Sequence, residues 1–117
     1  YDVMRLVRKE CDLRTIGIGK IMSAGVLLLA AGTKGQRKIG AHTRVMLHSI
    51  SGGQHGSIYE LETEMEEFRW IQEQYSNALI KETKLTKRKL KKMLDTKLNT
   101  YLTAEEAVKL GIADEII

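Results

Sequence analysis

Gly17-Ile18-Gly19-Lys20-Ile21-Met22-Ser23-Ala24-Gly25-Val26-Leu27-Leu28-Leu29-Ala30-Ala31-Gly32 decides how the rest of the chain is read. Arg14 to Ile18 has the pattern of a short buried strand, and Val26 to Ala31 is too apolar for a surface helix. Ser23 therefore falls where a strand gives way to a buried helix. The first turn of a helix has N–H groups without partners and the positive end of a dipole, so an oxygen that becomes negative there is stabilised. A reactive serine suits that position. So does a plain N-cap, because serine is a preferred capping residue and the stretch lacks the full nucleophile-elbow pattern.

On the N-terminal side, Val3, Leu6 and Val7 recur at helical spacing between Arg and Lys, predicting the end of an amphipathic helix over Tyr1 to Cys11. On the other side, Gly32-Thr33-Lys34-Gly35 is a helix stop and turn, and Arg37-Lys38-Ile39-Gly40 a short strand. Thr43 to Ser49 reads as a second buried strand, with His48 near its end. Strands alternating with helices predict an α/β layered fold, in which chemistry is found at strand ends. Ser51-Gly52-Gly53-Gln54-His55-Gly56 is too glycine-rich for regular structure and reads as a loop or hairpin tip.

Ser57-Ile58-Tyr59-Glu60 is a capping box that opens a long helix. Its apolar residues Ile58, Leu61, Met65, Phe68, Ile71, Tyr75 and Leu79 make a thin stripe among charges, with acids early and Lys81 at the close. So long a helix with so thin a stripe suits packing against a second copy, the alternative being the surface of its own domain. Thr86 to Leu94 is a short basic helix. Such runs bind phosphates, but none of its residues is an aromatic for base stacking, and a solvated face is the plainer reading. Thr103-Ala104-Glu105-Glu106 is a second capping box, Gly111 ends its helix, and Ile112 to Ile117 returns as a final strand.

The 117 residues suffice for one domain with a modest core. An apolar share of 43% and a charged share of 29% are ordinary for a globular protein, and no apolar run is long enough to cross a bilayer. The net charge is +4, much of it on the basic helix. The single cysteine, Cys11, cannot form an internal disulfide and is expected as a small buried hydrophobe in a reducing, cytoplasmic compartment. His and Cys residues show no metal-ligand spacing, and no phosphate-binding loop is present, so neither metal nor cofactor is expected.

The stretch from Gly19 to Gly32 resembles the nucleophile segment of the Clp protease proteolytic subunits (ClpP), where Gly-x-Ala-Ala-Ser-Met-Gly-Ala-Leu-Leu-Leu-Ala-Ala-Gly is usual. Arg44-Val45-Met46-Leu47-His48 resembles the family's Arg-Val-Met-Ile-His, Gly52-Gly53-Gln54-His55-Gly56 its Gly-Gly-x-x-Gly loop, and Tyr101 to Asp114 its Phe-Leu-Ser-Ala-Glu-Glu-Ala ending. The resemblance implies a ClpP/crotonase-like α/β fold of repeated strand-helix units, one peptidase domain over 1–117 with a protruding handle hairpin and helix at about 50–84. It implies a serine endopeptidase in which Ser23 attacks, His48 is general base and acid, Ala24 donates an N–H to the oxyanion hole, and Ser51, Gly52 and Gly53 hold an extended peptide by main-chain bonds. It also implies rings, heptameric or stacked as a tetradecamer, an AAA+ Clp unfoldase as the user of ATP, and unfolded polypeptide as substrate, with no nucleic-acid or membrane partner. His42 and His55 are competing bases by residue type but match no family motif. Family members carry roughly a third of their chain before the position of Tyr1, including a Ser-Pro-Gly-Gly segment that supplies the second oxyanion donor; the start is expected to be trimmed.

The departures are specific. Where the family ends its triad with aspartate, Asp95-Thr96-Lys97-Leu98-Asn99-Thr100-Tyr101 places Asn99. An amide can fix the imidazole's tautomer but cannot offset its charge, so weak activity, or rescue by a carboxylate such as Asp95, is expected. Lys97-Leu98 also replaces the acid-Arg pair that joins the two rings. Ala24 stands for the family's Met, and Ser49-Ile50-Ser51 for Gln-Pro-Leu, leaving the chain without proline and that loop less stiff. A catalytically inactive ring subunit that scaffolds a paralogue or unfoldase is therefore the alternative. A crotonase-type acyl-thioester enzyme is a third, against which the Ser23 and His48 motifs argue.

Overall fold

The computed structural model describes residues 1–117 as α1 (Asp2–Glu10), β1 (Thr15–Gly17), β2 (Lys20–Met22), α2 (Ala24–Ala30), β3 (Arg37–Ile39), β4 (Arg44–Leu47), α3 (Ile58–Glu82), α4 (Lys87–Leu94), β5 (Thr100–Leu102), α5 (Ala104–Lys109) and β6 (Glu115–Ile116). The strands form two sheets of three. One has the order β1-β3-β6 and is parallel throughout, with Thr15 opposite Arg37 and Lys38 opposite Glu115. The other has the order β2-β4-β5, parallel between β2 and β4 and antiparallel between β4 and β5. The mixed α/β character expected from the sequence is present, divided between two small sheets.

The division originates at Gly19. Its φ of 80° lies in the left-handed region that glycine enters without steric cost, and it turns the chain from β1 in one sheet to β2 in the other. The strand that leads into Ser23 is therefore β2, where the sequence suggested a single strand from Arg14 to Ile18. That strand is not buried either. β1 is an edge, and Ile16 and Ile18 are more than half exposed, with only Gly17 inside. β5 had no counterpart in the sequence reading, and the last strand is shorter than expected, because Ile112 N still bonds back to the Ala107 carbonyl at the end of α5. Residues 48–56 form no ladder, so of the loop and the hairpin tip expected near Gly52 the segment is the loop. Gly52 there lies against the Phe68 ring, where a Cβ would come within 2.6 Å of Cζ. Cys11, expected as a buried hydrophobe, is exposed at the end of α1.

α2 is central to the core. Val26, Leu27 and Leu29 pack with Val45 and Leu47 of β4, Leu79 near the end of α3, and Leu90 and Leu94 of α4. Ala104 and Ala107 allow α5 to approach closely. α1 buries no residue and is held by polar bonds instead. Arg8 forks onto the Glu82 carboxylate, both bonds at 2.8 Å, and the Tyr1 hydroxyl donates to it at 2.7 Å. Burial pushes the Glu82 carboxyl up, but the bonds from Arg8 and Tyr1 outweigh it and hold the group below the usual carboxylate range.

α3 runs for 25 residues, about 37 Å at helical rise. Only Leu79 and Glu82 on it are buried; Ile58, Tyr59, Leu61, Met65 and Trp70 are exposed. The core holds its C-terminal part and leaves the beginning bare, which accounts for a longest dimension of 49 Å against 33 and 25 Å. The bare end is closed by the reciprocal cap seen in the sequence: Ser57 Oγ accepts from Glu60 N at 3.3 Å, and the Glu60 carboxylate accepts from Ser57 N at 2.6 Å. Ser57→Ala is expected to cost about 1 kcal/mol of helix stability. Because no tertiary contact backs this end, amide exchange should quicken over Ile58 to Leu61 and stay unchanged near Leu79; unchanged exchange at both places would show that something other than the cap holds the first turn. No helix of the chain is long and apolar enough to cross a membrane.

Candidate active site

β2 leads into Ser23, and α2 continues from it. Ser23 has φ 52° and ψ −120°, the one residue other than glycine with a positive φ. Such a conformation costs on the order of 1–3 kcal/mol and persists only where the surroundings impose it. Here they do so by three bonds. Ser23 N donates to the Met46 carbonyl of β4 at 2.9 Å, and the Ser23 carbonyl accepts from Val26 N at 3.0 Å and from the Tyr75 hydroxyl of α3 at 2.8 Å. The Ser23 side chain makes no capping bond to α2. The plain N-cap reading therefore does not describe it, and the hydroxyl is left available.

The parallel register sets Met22 opposite Met46, so β2 and β4 deliver Ser23 and His48 to the same end of their sheet. Ser23, Ala24, His48 and Ser51 line one cavity of about 210 Å³, closed on the far side by Ile71 and Tyr75 of α3. His48 is half-buried, and His42 and His55 are exposed elsewhere. On the other flank of β4, Leu47 pairs with Thr100, so the next residues on the two strands are His48 and Asn99.

Not every expected residue reaches the cavity. Asn99 is exposed and does not line it, and neither do Gly52 and Gly53. Asp95, considered above as a substitute carboxylate, caps the end of α4 and lines a different groove with Ser76 and Lys87. No hydrogen bond joins the Ser23 hydroxyl, the His48 imidazole and the Asn99 amide; catalytic bonds are often long without substrate and tighten in its presence.

Two residues of the site escaped the sequence reading. Tyr75 figured only as one position of an apolar stripe, where its hydroxyl was the available signal. Burial pushes its phenol well above the usual range, so it stays protonated and donates. Gln72, one turn earlier on α3, accepts from Ile50 N at 2.7 Å and fixes the segment that follows His48; nothing in its sequence context marked it.

The cavity thus gathers an unused hydroxyl on a strained turn, an imidazole, and Ala24, the first residue of α2. That is the equipment of acyl transfer, without a charged third group.

Known proteins agree in kind. The family model described as Clp protease matches residues 1–117. The ATP-dependent Clp protease proteolytic subunit 2 of Chlamydia trachomatis serovar D is 35% identical over 118 aligned residues, and the protein of the same name from serovar A is equally similar. The match takes in 100% of this chain, which spans 56% of the length of those relatives. With the family match covering every residue, the chain belongs to the Clp protease family.

Proposed function

We propose that the chain carries the nucleophile and base of a Clp-type serine endopeptidase that cuts unfolded polypeptides. The observation that supports this best is Ser23: the single strained non-glycine residue, with its hydroxyl free of the helix end and on the same cavity as His48. In the reaction, His48 takes the Ser23 proton as Oγ bonds to the scissile carbonyl carbon. The carbonyl oxygen becomes an oxyanion that accepts from Ala24 N–H. His48 then gives its proton to the leaving amine, and water releases the acyl group by the same steps in reverse roles. Asn99 orients His48, and Ser51, Gly52 and Gly53 align the peptide as an added strand.

The same reading extends to assembly. The residues form one domain of crotonase-like repeats, and the bare first part of α3 is the handle that meets another copy, giving a heptameric ring or a stacked tetradecamer. Enclosure keeps folded proteins from the nucleophile, an AAA+ Clp unfoldase feeds the chamber, and the compartment is cytoplasmic. Asn99, exposed and unbonded to His48, favours a second reading, a ring subunit without activity of its own. A fluorophosphonate separates the two. Stoichiometric modification mapped to Ser23 in the assembled protein is the expected result; no modification there would leave the scaffold.

A further inference from the structure

The Ser23 conformation needs a support that β2 and α2 do not supply. Its bond to Met46 belongs to the β2–β4 pairing, and its bond from Val26 to the opening turn of α2. The third bond comes from outside both elements, from a side chain 52 residues away on α3. A peptide unit is planar and trans, so fixing the Ser23 carbonyl also fixes the N–H of Ala24, which points the opposite way. We propose that Tyr75 is a positioning residue: its hydroxyl, bonded to the Ser23 carbonyl, holds the turn that aims Oγ into the cavity and turns the Ala24 N–H toward the developing oxyanion. Gln72 does the corresponding work for the chain after His48, so one face of α3 steadies both sides of the cavity. The inference rests on the peptidase reading of Ser23.

Tyr75→Phe removes the hydroxyl and keeps the ring, so the cavity retains its volume. The full protein is labelled with a fluorophosphonate, in which Oγ bonds to phosphorus, fluoride leaves, and the proton passes to His48. Labelling of Tyr75→Phe at Ser23 should slow about tenfold or more, since small misplacements at a reacting centre are amplified in rate. For a peptide substrate, kcat should fall with KM unchanged, and the carbonyl 13C resonance of Ser23 should move as its bond is lost. A role in stability alone would lower the unfolding midpoint and leave the labelling rate and kcat, taken well below it, unaltered. Wild-type protein that labels at the same rate as Tyr75→Phe overturns the positioning role and spares the peptidase. Wild-type protein that never labels overturns the peptidase reading and the positioning role together.

Discussion

Asn99→Asp is expected to raise kcat for peptide hydrolysis by about two to four orders of magnitude with KM little changed. The antiparallel ladder ends with Leu47 opposite Thr100, and His48 and Asn99 are the next residue on each strand. A side chain at that position can accept from the imidazole's second nitrogen and hold the first toward Ser23. Asparagine supplies the acceptor but no charge. In the proposed reaction His48 becomes a cation as it takes the serine proton, and without a carboxylate at position 99 the transition state would lack that stabilisation. In Ser-His-Asp proteases the reverse change, Asp to Asn, leaves the geometry intact and lowers kcat about 10⁴-fold. Asn99 is exposed, so solvent screening reduces the gain, which sets the lower end of the range. Steady-state kinetics of the two proteins on one fluorogenic peptide measure it. Equal rates would remove Asn99 from the triad, and an inactive wild type made active by this one change would identify the asparagine as the reason for silence.

The parts of the structure that local rules govern were legible. Both capping boxes form both of their bonds, because a Ser or Thr with Glu three residues on meets only its own helix turn. Gly111 ends α5 with φ 71°, as a left-handed stop requires. Ser23 between strand and helix was equally visible. What escaped depends on distant partners. β2 at Lys20–Met22 was missed, because nothing local shows that the chain turns at Gly19, through a positive φ, into a second sheet. β5 has three residues, too few to show a period, and forms because β4 offers an edge. Two of the three bonds that hold the strained φ of Ser23 come from Met46 and Tyr75, neither of them near in sequence. The family became readable through motif resemblance, since spacing alone does not bring Ser23 and His48 to one cavity. Nor does anything local mark Arg37 as a buried charge.

That arginine gives the largest expected effect on stability. Arg37 is 3% exposed, and its guanidinium donates to Asp114 at 2.8 and 2.6 Å and to the carbonyls of Ala30 and Glu82 at 3.1 and 2.9 Å. Asp114 also accepts from the amides of Gly35 at 2.7 Å and Arg37 at 3.0 Å, tying the chain before β6 to the turn before β3. Asp114→Ala removes the counter-charge and leaves a buried cation with only the Ala30 and Glu82 carbonyls to offset its desolvation, so urea unfolding at neutral pH should show a loss of about 3–5 kcal/mol. The acid limb follows from the same bonds. The Arg37 guanidinium foremost, against the opposing effect of burial, lowers the Asp114 carboxyl from the ordinary 3.8 to about 2. Because the folded value is the lower, the stabilisation is complete above 3.8 and disappears as pH falls toward 2. Its size is about 1–2 kcal/mol after allowance for the partly exposed carboxylate. Asp114→Asn keeps an acceptor in place and cannot titrate, so its stability should fall less steeply than wild type across that window. Parallel acid limbs in the two proteins would mean that some other carboxylate governs them, and a loss below 1 kcal/mol in Asp114→Ala would mean that the Ala30 and Glu82 carbonyls suffice for Arg37.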